Sequence, residues 1–146
     1  MVFIDSNIWC YYLDARLPEH VHVREQVREI IRDGEVHINT VIAMEVAHYL
    51  TRNLEEPEAD EKIKSLINLR NMNIIDFNKS LMTLSLEYLT RLARSEGLGG
   101  RDSTILASLD AKRLDTLLTH DEALKSLAQR MDVKTLDPIP TEHKNQ

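Results

Sequence analysis

Four acidic residues stand where a chain of this pattern can gather them. Asp5 closes the short apolar run Val2-Phe3-Ile4, and Asp121 follows Thr116-Leu117-Leu118 by way of Thr119 and His120. Glu45 lies about one helical turn beyond Val36-His37-Ile38. Asp102 follows Gly97-Leu98-Gly99-Gly100-Arg101 and opens the run Ser103 to Leu109. Carboxylates crowded into one crevice repel one another and raise each other's pKa unless cations neutralise them. The chemistry such a set can do is therefore ligation of a divalent metal. All-oxygen ligation suits Mg²⁺ or Mn²⁺, and the chain has no Cys/His set with zinc spacing.

Each acid also has an ordinary explanation. Asp5-Ser6-Asn7 is N-capping chemistry, as is Asp121 before Glu122-Ala123-Leu124, and the helix macrodipole favours Asp102 in a first turn. Glu45 is the most telling, because it interrupts Val41-Ile42-Ala43-Met44-Glu45-Val46-Ala47 and shares a helix face with Ile42, Val46 and Tyr49. An unpaired charge there costs several kcal/mol, so it needs a cation, a hydrogen-bond donor or a raised pKa. The plain alternative is an ion pair with Arg52 or a neighbouring helix.

The elements that position these acids read as an α/β fold, a short parallel sheet of four to five strands between layers of helices. The strands expected are Val2–Ile4, Val36–Ile38, Ile74–Phe77, Thr116–Leu118 and, at an edge, Val133–Leu136. Helices fill the gaps: one from Val21 to Ile31 ended by Gly34, one from Val41 to Leu50 capped by Thr40, and a long one capped by Asn78 and ending near Gly97. Glu55-Glu56-Pro57 separates two helices of a hairpin. In open parallel sheets, ligands collect beyond the carboxyl ends of the strands, which is where the acids fall.

Length and composition set bounds. The chain of 146 residues suits one domain, read as ending near residue 140, with a polar tail over 141–146 expected to be disordered. No run approaches the roughly 18 apolar residues of a membrane span, and the N-terminus lacks the pattern of a secretory signal, so a cytoplasmic location is expected. The formal charge of −6 argues against a generic nucleic-acid binder, but much of the excess is absorbed if four acids share one metal site. Cys10 reads as a packed thiol and His20-x-His22 as helix surface. Arg24, Arg28 and Arg32 form either a phosphate track or, with Glu25 and Glu29 between them, an ion-paired solvated face, which is favoured. Trp9, Tyr11 and Tyr12 read as core or dimer contacts.

The ordered set Phe3-Ile4-Asp5-Ser6-Asn7, Glu45, Gly100-Arg101-Asp102-Ser103-Thr104-Ile105-Leu106-Ala107 and Leu117-Leu118-Thr119-His120-Asp121 resembles the PIN-domain family, in particular its VapC-type ribonuclease toxins. The resemblance covers nearly the whole chain. It implies that Asp5, Glu45, Asp102 and Asp121 are catalytic and ligate Mg²⁺ or Mn²⁺, that RNA is the substrate, that an antitoxin protein blocks the crevice, and that the chain forms a homodimer. Ser6, Asn7 and Thr119 are then expected to orient carboxylates and waters by hydrogen bonds, and Arg101 to meet substrate phosphate. The segment Asp121-Glu122-Ala123-Leu124 lacks an aromatic that often follows in relatives, and the helical insertion from Pro57 to Arg70 varies in length within the family.

Other readings make different demands. A phosphatase of the haloacid dehalogenase type needs an acid two residues after Asp5, where Asn7 stands. A nucleotide-binding module needs a glycine-rich phosphate loop, and neither usual form is present. A PIN-fold RNA-processing nuclease without a toxin role, or a non-catalytic RNA- or protein-binding module, keeps the same fold.

Overall fold

The structure, a computed structural model, describes residues 1–140. The polar tail at 141–146 lies outside the described residues. The elements run β1 (Val2–Ile4), α1 (Ser6–Leu13), α2 (His20–Asp33), β2 (Val36–Asn39), α3 (Thr40–Asn53), α4 (Glu56–Ile67), β3 (Met72–Ile75), α5 (Lys79–Glu96), α6 (Gly100–Ala111), β4 (Thr116–Leu118), α7 (Glu122–Gln129) and β5 (Lys134–Leu136).

All strand pairs are parallel, in the order β3-β2-β1-β4-β5. The chain therefore builds outward from β1 to β3, crosses back, and finishes with β4 and β5 on the other side. Right-handed crossovers then put α1 to α4 on one face of the sheet and α5 to α7 on the other. The packing agrees: α1 lies on α2 and α3, α3 on α4, α5 on α6, and α6 against β2. The order reverses between β1 and β4, and it is beyond the carboxyl ends of such neighbours that an open sheet leaves a crevice.

The strands are short, three or four residues each, and almost wholly apolar at the centre of the sheet. Phe3, Ile4, Ile38, Leu117 and Leu118 are fully buried, as are Ile8, Trp9, Ile42, Ile105, Leu106 and Leu109 from the helices above and below. Burial of a side chain of this kind is worth about 1.5–3 kcal/mol, so this set dominates the stability of so small a sheet. Among the described residues, no helix is long and apolar enough to cross a membrane.

Several boundaries differ from the sequence reading. The third strand starts at Met72 and stops at Ile75; Asp76 and Phe77 lie beyond it, where the Phe77 amide donates to the Thr40 hydroxyl at 3.1 Å and not to a strand. The cap of α3 is Asn39, whose Oδ1 accepts from the Ile42 amide at 2.8 Å, and Thr40 is the first helical residue. Gly34 does end α2, but in an extended conformation, so its lack of a side chain is not what stops the helix. Gly97 closes α5 at φ 69°, the left-handed conformation that favours glycine. Asn78 caps α5 through the Leu81 amide, and the α3–α4 hairpin is formed as expected.

Candidate active site

The crevice starts from the junction of β1 and β4. The Asp5 amide donates to the Leu118 carbonyl at 3.0 Å, extending the ladder by one residue and fixing where its side chain leaves the sheet. That carboxylate is fully buried. Its Oδ1 accepts from the Ser6 amide at 2.7 Å and caps α1, while Oδ2 accepts from the Thr119 hydroxyl at 2.7 Å. The Thr119 oxygen also accepts from the Asp121 amide at 3.1 Å. One hydroxyl therefore sets the spacing between acids carried on two strands. Asp121 in turn caps α7, its Oδ1 accepting from Leu124 at 2.9 Å.

Glu45 and Asp102 arrive on helices from opposite faces of the sheet, so something must hold those helices together. Asn39 does so. It caps α3 with its oxygen, and its buried amide nitrogen donates to the Thr104 hydroxyl at 3.2 Å and the Ser108 hydroxyl at 3.1 Å on α6. A second buried pair, Ser85 and Ser103 at 2.7 Å, ties the start of α6 to α5. Small hydroxyl side chains let α6 approach closely, and Ser103, Thr104 and Ser108 each find a hydrogen-bond partner there.

Arg101 sits at the centre. Its Nη1 donates to Asp5 Oδ1 at 2.7 Å, Ser6 Oγ at 3.2 Å and Glu45 Oε1 at 3.3 Å. Its Nη2 lies 2.6 Å from Asp102 Oδ1. That last contact is close but off-axis, so the buried Asp102 Oδ1 gains attraction without a true hydrogen bond. Asp5, Glu45 and Asp102 thus meet through a guanidinium. Among the described residues no group of three or more Asp, Glu, His or Cys side chains is clustered tightly enough to hold a metal directly as the side chains stand.

One guanidinium does not neutralise this many acids. Burial pushes the Asp102 carboxyl up to about 6, and although Arg101 pulls it down, the charges of Asp121, Asp5 and Glu45 add to the rise. The same influence of Asp121 places it within electrostatic reach of the cluster. Burial tends to lower the pKa of Arg101, but Asp5, Asp102 and Glu45 outweigh this and hold it above its ordinary value. Burial, with help from Glu45, Asp5 and Asp14, pushes the Cys10 thiol up to about 12, which keeps it protonated near neutral pH and fits a packed thiol.

The remaining expected residues divide. Ser6 contacts both Asp5 and Arg101, and Thr119 bridges two acids. Asn7 is half-buried on α1 with Oδ1 shielded from solvent and no hydrogen-bond partner. Arg24 and Arg28 pair with Glu25, and Arg32 with Asp33, all on an exposed face, in keeping with a solvated helix surface. Trp9 is fully buried and meets Tyr12 edge-on at 6.2 Å.

Two neighbours of the site were not anticipated from sequence. Asn39 is one; its signal was an Asn at a strand end just before a helical run. The other is Asp137, which receives His120 Nδ1 at 3.0 Å and Lys125 Nζ at 2.8 Å and so ties the loop carrying Asp121 to the chain after β5. Nothing in the spacing of residues 120, 125 and 137 signals that contact.

The family model described as PIN domain matches residues 2–130. No curated protein matches the chain in sequence. Solved structures do match in fold. VapC20 of Mycobacterium tuberculosis, a Sarcin-Ricin loop cleaving toxin, is 15% identical, covers 87% of this chain and 95% of its own, and superposes with a TM-score of 0.72. A chain of VapBC2 from Rickettsia felis, solved with a DNA fragment from its promoter, is 17% identical over 94% of this chain and 98% of its own, with a TM-score of 0.68. A chain of a toxin-antitoxin complex from Klebsiella pneumoniae is 17% identical over 95% and 98%, with a TM-score of 0.62. At these identities the structural likeness speaks to the fold, and it is the match of the family model along most of the sequence that establishes that the chain belongs to the PIN domain family.

Proposed function

We propose that the protein is an endoribonuclease dependent on Mg²⁺ or Mn²⁺ and serves as the toxin of a toxin–antitoxin pair. The observation that carries this reading is the convergence of Asp5, Glu45 and Asp102 on Arg101, with Asp121 close enough to add to the charge and Asp102 left under-neutralised. The donor set fits a hard divalent cation: the side chains are carboxylates, and the buried Asp102 Oδ1 has no hydrogen-bond donor of its own.

In this reading Asp5, Asp102 and Asp121 hold the cation, with Glu45 beside them. When bound, a divalent cation neutralises charge on the phosphodiester and lowers the pKa of water. The chain's own residues supply the arrangement. Thr119 keeps Asp5 and Asp121 at fixed spacing, Asn39 keeps the helices of Glu45 and Asp102 in register, and Ser6 steadies Asp5 and Arg101. Glu45 is more exposed than Asp5 or Asp102 and is the acid suited to take a proton from the attacking water. Arg101, among the acids and partly exposed, is the residue proposed to meet substrate phosphate. The toxin role and an antitoxin partner are supported by relatives of the same fold that are a toxin or were solved in toxin–antitoxin complexes.

The test is cleavage of labelled total RNA by antitoxin-free protein with Mg²⁺, with Mn²⁺ and with chelator, beside an Asp102→Asn variant of native circular dichroism. Metal-dependent cutting that vanishes in the variant is expected. Cutting that survives in the variant, or no cutting with either metal, would overturn the assignment.

A further inference from the structure

We propose that Arg101 competes with the divalent cation for the same carboxylate oxygens, acting as a built-in counterion that must leave the acids before the site is loaded. The inference rests on the metal-binding reading above and adds a regulatory step to it.

The geometry sets the two occupants against each other. Nη1 lies 2.7 Å from Asp5 Oδ1, and Nη2 lies 2.6 Å from Asp102 Oδ1. Mg²⁺ takes its oxygens at about 2.0–2.1 Å. A cation that close to these two oxygens would lie against both amino groups of the guanidinium, and like charges in a partly buried site repel strongly. Metal on these acids therefore works against the present contacts of Arg101.

The side chain also keeps one side open to solvent. It is 29% exposed, and its other contact in the crevice is the Ser6 hydroxyl. A structural ion pair would be expected to satisfy its acids, as a staple does. Here Nη2 meets Asp102 off-axis and one guanidinium is divided among three carboxylates, so exchanging it for a divalent cation improves the match of charge.

Two consequences follow from linkage. The apparent affinity for metal is lowered by the fraction of molecules in which Arg101 holds the acids. Metal loading also releases a guanidinium at the mouth of the crevice, where a phosphate is to arrive.

The experiment is titration of chelator-treated protein with Mn²⁺, following free Mn²⁺ by electron paramagnetic resonance, for the native chain, Arg101→Gln and Arg101→Lys. Arg101→Gln is expected to bind Mn²⁺ roughly tenfold more tightly, within the usual range of such couplings, while melting lower in chelator. Arg101→Lys, which keeps the charge and loses the fork, should fall between. Damage to the fold weakens metal binding, so a gain in affinity is a readout that a merely structural role does not produce. Equal or weaker binding by a natively folded Arg101→Gln overturns the competition and leaves the metal reading standing. Should Arg101→Gln not fold, equal or weaker binding by Arg101→Lys does the same. Absence of Mn²⁺ binding in every chain overturns both.

Discussion

Two buried aspartates stand at the two ends of the same short helix, and each has an arginine. Asp14 follows the last turn of α1 and Asp5 precedes its first. Asp14 is 1% exposed. Its Oδ1 accepts from the Arg16 amide at 3.1 Å and Nε at 2.9 Å, and its Oδ2 from Arg16 Nη2 at 2.9 Å and the Tyr49 hydroxyl at 2.7 Å. Arg16 Nη2 also reaches the Asn53 carbonyl, so the cluster staples α1 to α3. One carboxylate faces one guanidinium there, and hydrogen bonds from Arg16 first of all hold the Asp14 carboxyl down to about 2. At Asp5 one guanidinium faces Asp5, Glu45 and Asp102, and the Asp102 carboxyl rises to about 6. A buried acid alone does not mark a functional site. What sets Asp102 apart is burial first, and then the charges of Asp121, Asp5 and Glu45, against a single shared guanidinium.

The sharpest way to break this comparison is to neutralise one acid at each end. Asp102→Asn is expected to lower RNA cleavage a hundredfold or more, since even outer residues of metal sites cost about 10–100-fold, whereas Asp14→Asn should leave turnover within about threefold. Comparable losses in both would show that the two clusters do not differ in kind.

A smaller effect is expected one bond further out. Thr119→Val keeps the shape of the side chain but loses the hydroxyl that joins Asp5 to the Asp121 amide. Mn²⁺ affinity should fall roughly tenfold with circular dichroism unchanged. Unaltered affinity would remove Thr119 from the site.

The smallest effects lie in stability, and their signs oppose. Asp14 has a depressed pKa, so its contribution is present above the ordinary carboxylate value and is lost as pH falls toward about 2. Asp14→Asn should melt lower than the native chain by roughly 5 °C at neutral pH, with the gap closing in acid. Asp102 has a raised pKa, so its ionisation is a cost that is full above about 6 and absent below the ordinary value near 3.8. In chelator, Asp102→Asn should melt higher than the native chain at pH 8, again with the gap closing in acid. Melting curves across pH check both signs.

Much of this was legible in the sequence, for identifiable reasons. The runs Val2–Ile4 and Thr116–Leu118 matched β1 and β4 because a buried parallel strand leaves a short, wholly apolar signature ending at a polar residue. The run through Phe77 misled because Phe77 falls two residues after Ile75 and continues the strand alternation, while the Thr40 hydroxyl takes the Phe77 amide out of the sheet. The acids themselves could be proposed from their places after strands and on helix faces. Arg101 as their common partner could not, because residues 5, 45 and 101 meet only through the crossing of the sheet order. The ties made by Asn39 to α6 and by Asp137 to His120 are tertiary in the same sense.

The most direct test of the central claim is where a paramagnetic cation lodges. Substoichiometric Mn²⁺ added to isotopically labelled protein should broaden the amide resonances around Asp5, Glu45, Asp102 and Asp121 first and leave those around Asp14 sharp. Broadening centred instead on the exposed acids that open α4, Glu55, Glu56 and Glu58, would contradict it, because the cation would then follow surface charge and not the under-neutralised crevice.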